Sequence, residues 1–413
     1  MPDTRLWHSA AESIARLLAR DAHRYAGEAT WMGTTQDEDA GTGEHEFTYA
    51  TLGPALYRGT SGVALFLAEA AAPFDNAPLR LLSLESMRHA VARAALMPAA
   101  ERMGFYSGAI GVAWAAARAA HLLGEEELLD GARRLVRELP LDDPEMPLDI
   151  IDGAAGAAPA LLRLADTLDS SALRDAALTL GERLRARAHT HSDGSWSWGD
   201  PLSAENAAPH LTGFAHGAAG IAWSLLRLTS ATGDARFADG AWRAFAFENA
   251  RFVADAANWP DLRESEDGDD AVTCGAAWCH GGPGIGLSRA RAMHLRSDVA
   301  DRRDTEAALR VTMRQLAAVA SDVEFDGTLC HGRAGLIELA CTLADALGDA
   351  EARATALAEA CRAAERHAHD PARWPVSVLR GSDPSLMVGL AGIGHAYLRL
   401  ADPSVPSVLE PGG

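Results

Sequence analysis

The sequence predicts an all-α protein: a closed double ring in which seven inner apolar helices are surrounded by outer amphipathic helices. Three observations predict this fold class. A Gly-x-x-Gly pair recurs seven times along the 413 residues, an apolar segment follows each pair, and amphipathic segments lie between these apolar segments. No stretch sustains a two-residue alternation with β-branched residues, so a sheet is not required.

The glycine pairs mark the first turn of each inner helix. In a chain with 38 glycines a single pair has little meaning, but seven pairs, each followed by an apolar run, indicate a repeated unit. Because glycine has no Cβ, we expect neighbouring backbones to converge there, with the helix N–H groups left free to face the mouth of the ring. The pairs are Gly59/Gly62, Gly108/Gly111, Gly153/Gly156, Gly217/Gly220, Gly281/Gly284, Gly332/Gly335 and Gly389/Gly392.

Two types of helix alternate along the chain. Segment 111–123 is apolar on nearly every face, which is typical of a helix buried on all sides. Segment 128–139 places apolar residues at intervals of three and four among charged ones, which is typical of a helix lying on a core. An open solenoid would show the same alternation, but its terminal repeats should be polar. Because the last repeat, 386–400, is as apolar as the others, a closed ring is favoured.

Length and polar segments favour one domain over residues 1–413. The chain is long enough for a single large core, and the polar stretches 35–46 and 264–270 are interpreted as loops on that domain and not as linkers.

The charge and the cysteine content restrict partners and compartment. A net charge of −20 argues against nucleic acid or an anionic membrane as partner and fits a neutral ligand or a peptide. No apolar run is long enough to cross a membrane, and the N-terminus has no signal-peptide core, so we expect a cytoplasmic protein. In that compartment five cysteines favour metal-binding or catalytic thiols over disulfides.

The residues just before the glycine pairs should all face one mouth. Cys279 and Cys330, together with His216, His280 and His331, occupy equivalent positions in three consecutive repeats. Two thiolates and one imidazole, from Cys279, Cys330 and His331, form a donor set that zinc prefers, with one coordination position left open. The alternative is that buried cysteines act as small apolar residues and the histidines cap helices.

The remaining cysteines are treated differently. Cys341 and Cys361 lie on helix bodies and are interpreted as apolar core residues, and Cys274 stays undecided.

An acid–base group would accompany such a metal site. Zinc lowers the pKa of an incoming thiol, and a proton donor is then needed for whatever the thiolate attacks. His216 is the best candidate because histidine titrates near neutral pH. Asp149 would orient His216 or act itself, or it would only cap the third inner helix.

Several motifs resemble the lanthionine synthetase C-like cyclases, over essentially the whole chain. They are Tyr57-Arg-Gly-Thr-Ser-Gly, Trp278-Cys-His-Gly-Gly-Pro-Gly-Ile-Gly, Cys330-His-Gly and Gly389-Leu-Ala-Gly-Ile-Gly. Two more, Asn258-Trp-Pro-Asp-Leu-Arg263 and the tail Leu400-Ala-Asp-Pro-Ser-Val-Pro-Ser-Val-Leu409, resemble the cyclase domain of class II lanthipeptide synthetases.

The resemblance implies an (α/α)7 toroid with a catalytic zinc ion. It also implies addition of peptide cysteines to dehydroalanine or dehydrobutyrine, which forms thioether rings in a dehydrated precursor peptide. By motif position, Cys279, Cys330 and His331 would be the zinc ligands, His216 the acid/base, and Asp149 its partner.

Two departures from the family pattern affect the expected site. Stand-alone members often have an arginine where this chain has Gly275, so another group must stabilise the enolate, and Arg263 or Arg333 are the candidates. His280 stands where the stand-alone enzymes often have tyrosine, which matches the class II pattern, and it is a further candidate for the charge-stabilising role.

The chain also has no counterpart of the large class II dehydratase before Tyr57. A free-standing cyclase served by a separate dehydratase and an excised domain both stay open.

Two other functions compete with peptide cyclisation. One is transfer of glutathione or another small thiol to dehydrated residues, and the other is a non-catalytic scaffold that keeps zinc for structure. Retention of His216 and Asp149 argues against the scaffold. A glycosidase would need carboxylates that flank a cleft, whereas Asp149 and Asp152 share one turn.

Overall fold

Helices that are apolar on all faces alternate with helices that are apolar on one face, and a computed structural model packs them as two concentric rings. The structure describes residues 4–38, 45–199, 210–263, 273–376 and 383–413. The helices in these ranges are α1 (Thr4–Asp21), α2 (Thr60–Ala71), α3 (Ala77–Ala94), α4 (Ala109–Leu123), α5 (Glu126–Leu135), α6 (Ala154–Leu168), α7 (Ser171–Ala186), α8 (Ala218–Thr232), α9 (Ala235–Asn249), α10 (Gly282–Met293), α11 (Val299–Val319), α12 (Arg333–Leu347), α13 (Ala350–His367) and α14 (Leu390–Ala401).

The even-numbered helices form the inner ring. Each packs against the next even-numbered helix, and α14 packs against α2, which closes the ring. All twelve residues of α2 are buried, as expected for a helix with neighbours on every side. The predicted (α/α)7 toroid is therefore confirmed.

The odd-numbered helices form the outer ring. Each of α3 to α13 packs against the inner helix that precedes it in the chain, whereas α1 packs against α14. The N-terminal helix thus supplies the outer partner of the last inner helix. None of the helices within the described ranges is long and apolar enough to cross a lipid bilayer.

Seven turns lead into the inner helices, and we call them the mouth turns: 53–59, 102–108, 147–153, 211–217, 275–281, 326–332 and 383–389. Backbone hydrogen bonds join each mouth turn to the next and close into a circuit, which fixes the turns relative to one another. The bonds are Tyr57 N to Tyr106 O (2.8 Å), Tyr106 N to Ile151 O (3.1 Å), Ile150 N to Ala215 O (3.0 Å), Ala215 N to Cys279 O (3.1 Å), Trp278 N to Cys330 O (3.0 Å), Cys330 N to Met387 O (2.9 Å) and Met387 N to Tyr57 O (2.9 Å).

The repeated glycines are required by close backbone packing. A Cβ on Gly156 would fall on the carbonyl oxygen of Ile150, in the same mouth turn, and lie 3.1 Å from the Cβ of Phe105 in the preceding turn. The second glycine of every pair meets the carbonyl oxygen six residues before it in the same way. The expected close approach of backbone to these glycines is present, but the nearest backbone belongs to the glycine's own mouth turn and not to a neighbouring one.

The expectation that the first N–H groups of the inner helices are free is wrong. At α6, Ala154 N donates to Pro147 O at 2.9 Å, and at α12, Arg333 N donates to Asp326 O at 2.8 Å. Most of these N–H groups donate to carbonyl oxygens of the mouth turn that begins the helix, and Ala219 N and Gly282 N donate to buried side chains, because a buried N–H without an acceptor is unfavourable. These groups are therefore not available to a ligand in the mouth.

Three short antiparallel hairpins lie in the segments that connect the helices of the described residues, although no sheet was expected. In the described residues they are β1 (His23–Tyr25) with β2 (Glu28–Thr30), β3 (Met32–Glu38) with β4 (His45–Thr51), and β5 (His189–Thr190) with β6 (Trp196–Ser197). The loop predicted over 35–46 is therefore wrong at both ends, where strands run to Glu38 and from His45. Hydrogen bonds between the strands hold these short pairs, and β2 and β6 pack on the outer helices α3 and α9, so no long alternating apolar strand was needed. The loop predicted over 264–270 lies outside the described residues.

The C-terminal segment 402–413 enters the inside of the ring. Its carbonyl oxygens accept hydrogen bonds from two mouth-turn side chains: Tyr106 Oη donates to Val408 O at 2.7 Å and Trp278 Nε1 to Leu409 O at 2.9 Å. Ser407 contacts Glu338 on α12, and Gly412 lies against Pro159 on α6. The segment therefore lies inside the ring beneath the mouth turns, and a cavity of about 510 Å³ remains between it and helices α4 and α6.

Candidate functional site

The mouth turns enclose a cavity of about 540 Å³. Its lining combines residues from six of the seven mouth turns with Arg263, which follows α9. The lining residues are Ala55, Tyr57, Arg58, Ser107, Ile151, Ala215, His216, Arg263, Trp278, Cys279, His280, Cys330 and His331.

Cys279, Cys330 and His331 form a compact group at the wall of this cavity. Their ligand atoms all lie within 4.8 Å of one another. Both cysteines are buried, whereas 37% of the His331 side chain is exposed. Two thiols and an imidazole are donors that zinc prefers, so these residues fit a zinc ion.

The two thiols of the group differ in acidity. Their mutual hydrogen bond lowers the pKa of Cys279, and contacts with His280 and His331 lower it further against the effect of burial. The same contact with Cys279, together with burial, raises the pKa of Cys330. Cys279 is therefore the more acidic of the two.

A buried asparagine holds the mouth turn that carries Cys279. Asn258 Nδ2 donates to Gly275 O at 2.8 Å, and Asn258 Oδ1 accepts from Gly282 N at 2.8 Å. One side chain thus joins the two ends of the turn. This contact gives a structural role to Asn258, the first residue of the motif Asn258-Trp-Pro-Asp-Leu-Arg263.

A carboxylate holds the mouth turn that carries Cys330 and His331. Asp326 Oδ1 accepts from Thr328 N at 2.8 Å, and Asp326 Oδ2 lies 3.2 Å from His331 Nε2. With Nε2 facing Asp326, the other ring nitrogen, Nδ1, is the one left for a metal. Such carboxylate–histidine contacts orient metal ligands in many sites.

His216 and Asp149 form a second pair in the mouth. The distance from His216 Nδ1 to Asp149 Oδ2 is 2.5 Å, and 45% of the His216 side chain is exposed. Burial lowers the pKa of His216, but the hydrogen bond to Asp149 and its charge outweigh burial, so the pKa is raised. Asp149 Oδ1 also accepts from Asp152 N at 2.8 Å, so Asp149 both holds its own turn and orients His216.

Of the two arginines expected in the site, one lines the cavity. Arg263 Nη2 lies 3.1 Å from His280 Nε2, and Asp261 fixes the guanidinium from behind with a 2.9 Å bond to Nε. The candidate role of Arg333 is wrong. Its side chain is buried and points away from the mouth toward Glu359 on α13, where it also donates to Val319 O at 2.8 Å.

His280 and Gly275, the two departures from the family pattern, lie in contact. A Cβ on Gly275 would lie 3.3 Å from Cδ2 of the His280 ring. The ring nitrogen Nε2 of His280 lies 3.3 Å from Cys279 Sγ. The imidazole thus occupies space beside Gly275 and bridges between Cys279 and Arg263.

Two further residues of the cavity escaped the sequence analysis as site residues. Tyr57 lines the cavity, where burial and the neighbouring Cys330 thiol raise its pKa, and Arg58 lines the cavity with its Nε 3.8 Å from Asp383. Both could have been found by turn position, because Tyr57 stands where the later repeats have Cys279 and Cys330.

The other cysteines do not line this cavity. Cys341 lies on α12, where burial raises its pKa to about 12, and Cys361 lies on α13. Cys274, undecided from the sequence, is half-buried, and burial raises its pKa too.

Comparison with known proteins assigns the family. A model of the family described as lanthionine synthetase C-like protein matches residues 50–410. The chain belongs to this family. Nisin cyclase superposes with a TM-score of 0.65 at 17% identity, over 84% of this chain and 89% of nisin cyclase. The Lin0763 protein from Listeria innocua superposes with a TM-score of 0.51 at 9% identity, over 95% and 97% of the two chains.

At these identities the two superpositions support the toroidal fold alone. Within the lanthionine synthetase C-like family, the features that bear on chemistry are the thiol–imidazole group and the pair formed by His216 and Asp149.

Proposed function

We propose that this protein is a zinc-dependent peptide cyclase that adds cysteine thiols to dehydroalanine or dehydrobutyrine residues, forming lanthionine or methyllanthionine rings. One observation carries the proposal: the zinc donors Cys279, Cys330 and His331 share a cavity with His216, which Asp149 orients. Membership of the lanthionine synthetase C-like family supports the same reaction class.

A zinc ion held by Cys279, Cys330 and His331 would lower the pKa of a substrate cysteine while keeping its sulfur nucleophilic. The sulfur then forms a bond to the β-carbon of the dehydroamino acid, and the double-bond electrons move toward its carbonyl oxygen. His216 delivers a proton to the α-carbon, and the proton lost by the thiol replaces it. The sum is addition of S–H across a double bond, with no net oxidation or reduction.

The neighbours of His216 and the cavity arginine support this sequence. Asp149 raises the pKa of His216 against the effect of burial, so His216 keeps its proton to a higher pH than an ordinary histidine does. Arg263 supplies a guanidinium in the cavity, where it would stabilise the negative charge that develops on the carbonyl oxygen. His280 would orient Arg263 through their 3.1 Å contact.

The substrate is a precursor peptide that another enzyme has dehydrated, because the reaction consumes dehydroamino acids. We propose a separate dehydratase as that partner. Two alternatives differ from the cyclase in what happens to the peptide. A thiol transferase would join a small thiol to the same peptide, and a scaffold would bind the peptide without consuming thiols.

The test uses a peptide with one cysteine and one dehydroalanine, incubated with zinc-loaded protein with and without added glutathione and then treated with a thiol-alkylating reagent. Cyclisation leaves the peptide mass unchanged and blocks alkylation, whereas glutathione transfer adds the mass of glutathione. Cys330→Ala should lose zinc and activity, and His216→Ala should keep zinc and react about 10²- to 10⁴-fold more slowly.

Cys341→Ala is the matched control, because it removes a buried cysteine from the same inner helix region without touching the cavity. It should behave as wild type. Full alkylation of the peptide after incubation with wild-type protein would exclude the cyclase, and a glutathione adduct would establish the transferase instead.

A further inference from the structure

We propose that Glu248, on outer helix α9, is a positioning residue that sets the location of His216 relative to Cys279. The inference rests on the proposed acid–base role of His216. Glu248 is fully buried and does not line the cavity, so it acts through other residues.

One carboxylate oxygen of Glu248 accepts hydrogen bonds on both sides of His216. Glu248 Oε1 accepts from Gly213 N at 3.0 Å and from Ala219 N at 3.1 Å. These two donors lie three residues on either side of His216. A single acceptor therefore joins the two ends of the segment that holds the imidazole.

The acceptor for Ala219 N differs in kind from the acceptors at the equivalent positions of other repeats. The N–H equivalent to that of Ala219 donates to a backbone carbonyl seven residues earlier at four mouth turns. The bonds are Ser61 N to Pro54 O (3.3 Å), Ala155 N to Leu148 O (3.2 Å), Ala334 N to Gly327 O (3.2 Å) and Ala391 N to Pro384 O (3.3 Å). In the His216 turn a side chain from the outer ring takes the place of that carbonyl, which makes the position of this turn dependent on α9.

The same segment rests directly on a proposed metal ligand. Phe214 N and Ala215 N both donate to Cys279 O, at 3.2 and 3.1 Å. Gly213 has a φ of +105°, and a Cβ there would lie 3.0 Å from the same carbonyl oxygen. Any displacement of the segment therefore changes how His216 sits relative to Cys279.

The second carboxylate oxygen ties Glu248 to the helix that follows Cys279. Glu248 Oε2 lies 2.9 Å from Nη1 of Arg289 on α10, and both side chains are fully buried. Arg289 also contacts Asn249 Oδ1 at 3.2 Å and lies over the Phe245 ring. Glu248 thus links the mouth turn of His216 with the inner helix of the Cys279 turn.

The test is Glu248→Gln in the full zinc-loaded chain. An amide has one acceptor oxygen, so glutamine can face either the two N–H groups or Arg289, but not both. We expect kcat to fall about 10- to 100-fold, as for a misplaced catalytic group, with KM and zinc content unchanged. The side-chain nitrogen resonances of His216 should shift, which reports on its position independently of activity.

Glu69→Gln is the matched control. Glu69 is a buried carboxylate paired with Arg118 at 2.7 Å, on α2 and away from the cavity lining. It should lower thermal stability through loss of a buried ion pair and leave both kcat and the His216 resonances at wild-type values. If Glu248→Gln behaves in this same way, Glu248 is structural and the inference is wrong.

A second variant covers the case in which Glu248→Gln does not fold. Ala219→Pro removes one N–H donor and puts its ring Cδ where that hydrogen was, so Glu248 Oε1 must move away from this end of the segment while Arg289 keeps a carboxylate to pair with. The equivalent position of α10 is already proline, Pro283, so this inner-helix start accepts it. A smaller fall in kcat with a shifted His216 resonance supports the inference, and wild-type values of both overturn it.

Failure of the proposed function is distinguishable from failure of this inference. If His216→Ala cyclises the peptide at the wild-type rate, the acid–base role is wrong, whatever Glu248 does. The His216 resonances would still show whether Glu248 positions that side chain.

Discussion

Replacing Asp326 by asparagine should weaken zinc binding about 10- to 100-fold, or about 1.4 to 2.7 kcal/mol. The amide oxygen can still accept from Thr328 N, so the mouth turn keeps its shape. The amide nitrogen would then face His331 Nε2, donor against donor. To avoid this, the imidazole proton must move to Nδ1, the nitrogen left for the metal.

The equivalent aspartate of the next mouth turn provides a matched control for this substitution. Asp383 holds the next mouth turn in the same way, with Oδ1 accepting from Ser385 N at 2.8 Å, but Val388 stands where the preceding turn has His331. Asp383→Asn should therefore leave the zinc dissociation constant unchanged.

The assay is competition for zinc against a fluorescent chelator, with folding checked by circular dichroism. Wild-type affinity in Asp326→Asn would refute the reasoning, because His331 would then not depend on the carboxylate. An equal loss of affinity in both variants would refute it too, since the effect would come from the turn and not from the contact with His331.

Three further predictions concern the rate and the fold. Asp149 raises the pKa of His216, so Asp149→Asn should lower that pKa and move the alkaline limb of the pH–rate profile to lower pH; an unmoved limb would assign it to another group. Arg263→Ala should lower kcat by about 10²- to 10³-fold with zinc retained and Arg263→Lys should recover part of it, whereas a wild-type rate for Arg263→Ala would remove the residue from the chemistry. Gly335→Ala should lower the free energy of unfolding by about 1 to 3 kcal/mol in chemical denaturation, because its Cβ would fall on Leu329 O; unchanged stability would show that the turn adapts.

Repetition made the toroid and much of the candidate site accessible from sequence. Residues at the same position in successive turns of a closed ring become neighbours, so Cys279 and Cys330 could be paired although 51 residues separate them. The fully apolar helices revealed the inner ring because only a helix with partners on all sides has such a composition.

What could not be predicted depends on packing between distant elements. Arg333 stands two residues after the candidate ligand His331, yet the direction of its side chain is decided by Glu359 on another helix. Asp326 is indistinguishable in sequence from an ordinary turn residue, as the equivalent Asp383 shows. The contact of Glu248 with the His216 turn joins residues on different rings and follows from no local pattern.

The C-terminal segment determines how a peptide can pass through the site. Because residues 402–413 occupy the middle of the toroid beneath Tyr106 and Trp278, the molecule is a cup and not a tunnel. Under the proposed cyclisation, a linear precursor would not be threaded through the ring; it would offer each cysteine and its acceptor together as a bent loop and withdraw from the side on which it came. Successive rings in one peptide would then require repeated visits to the same site.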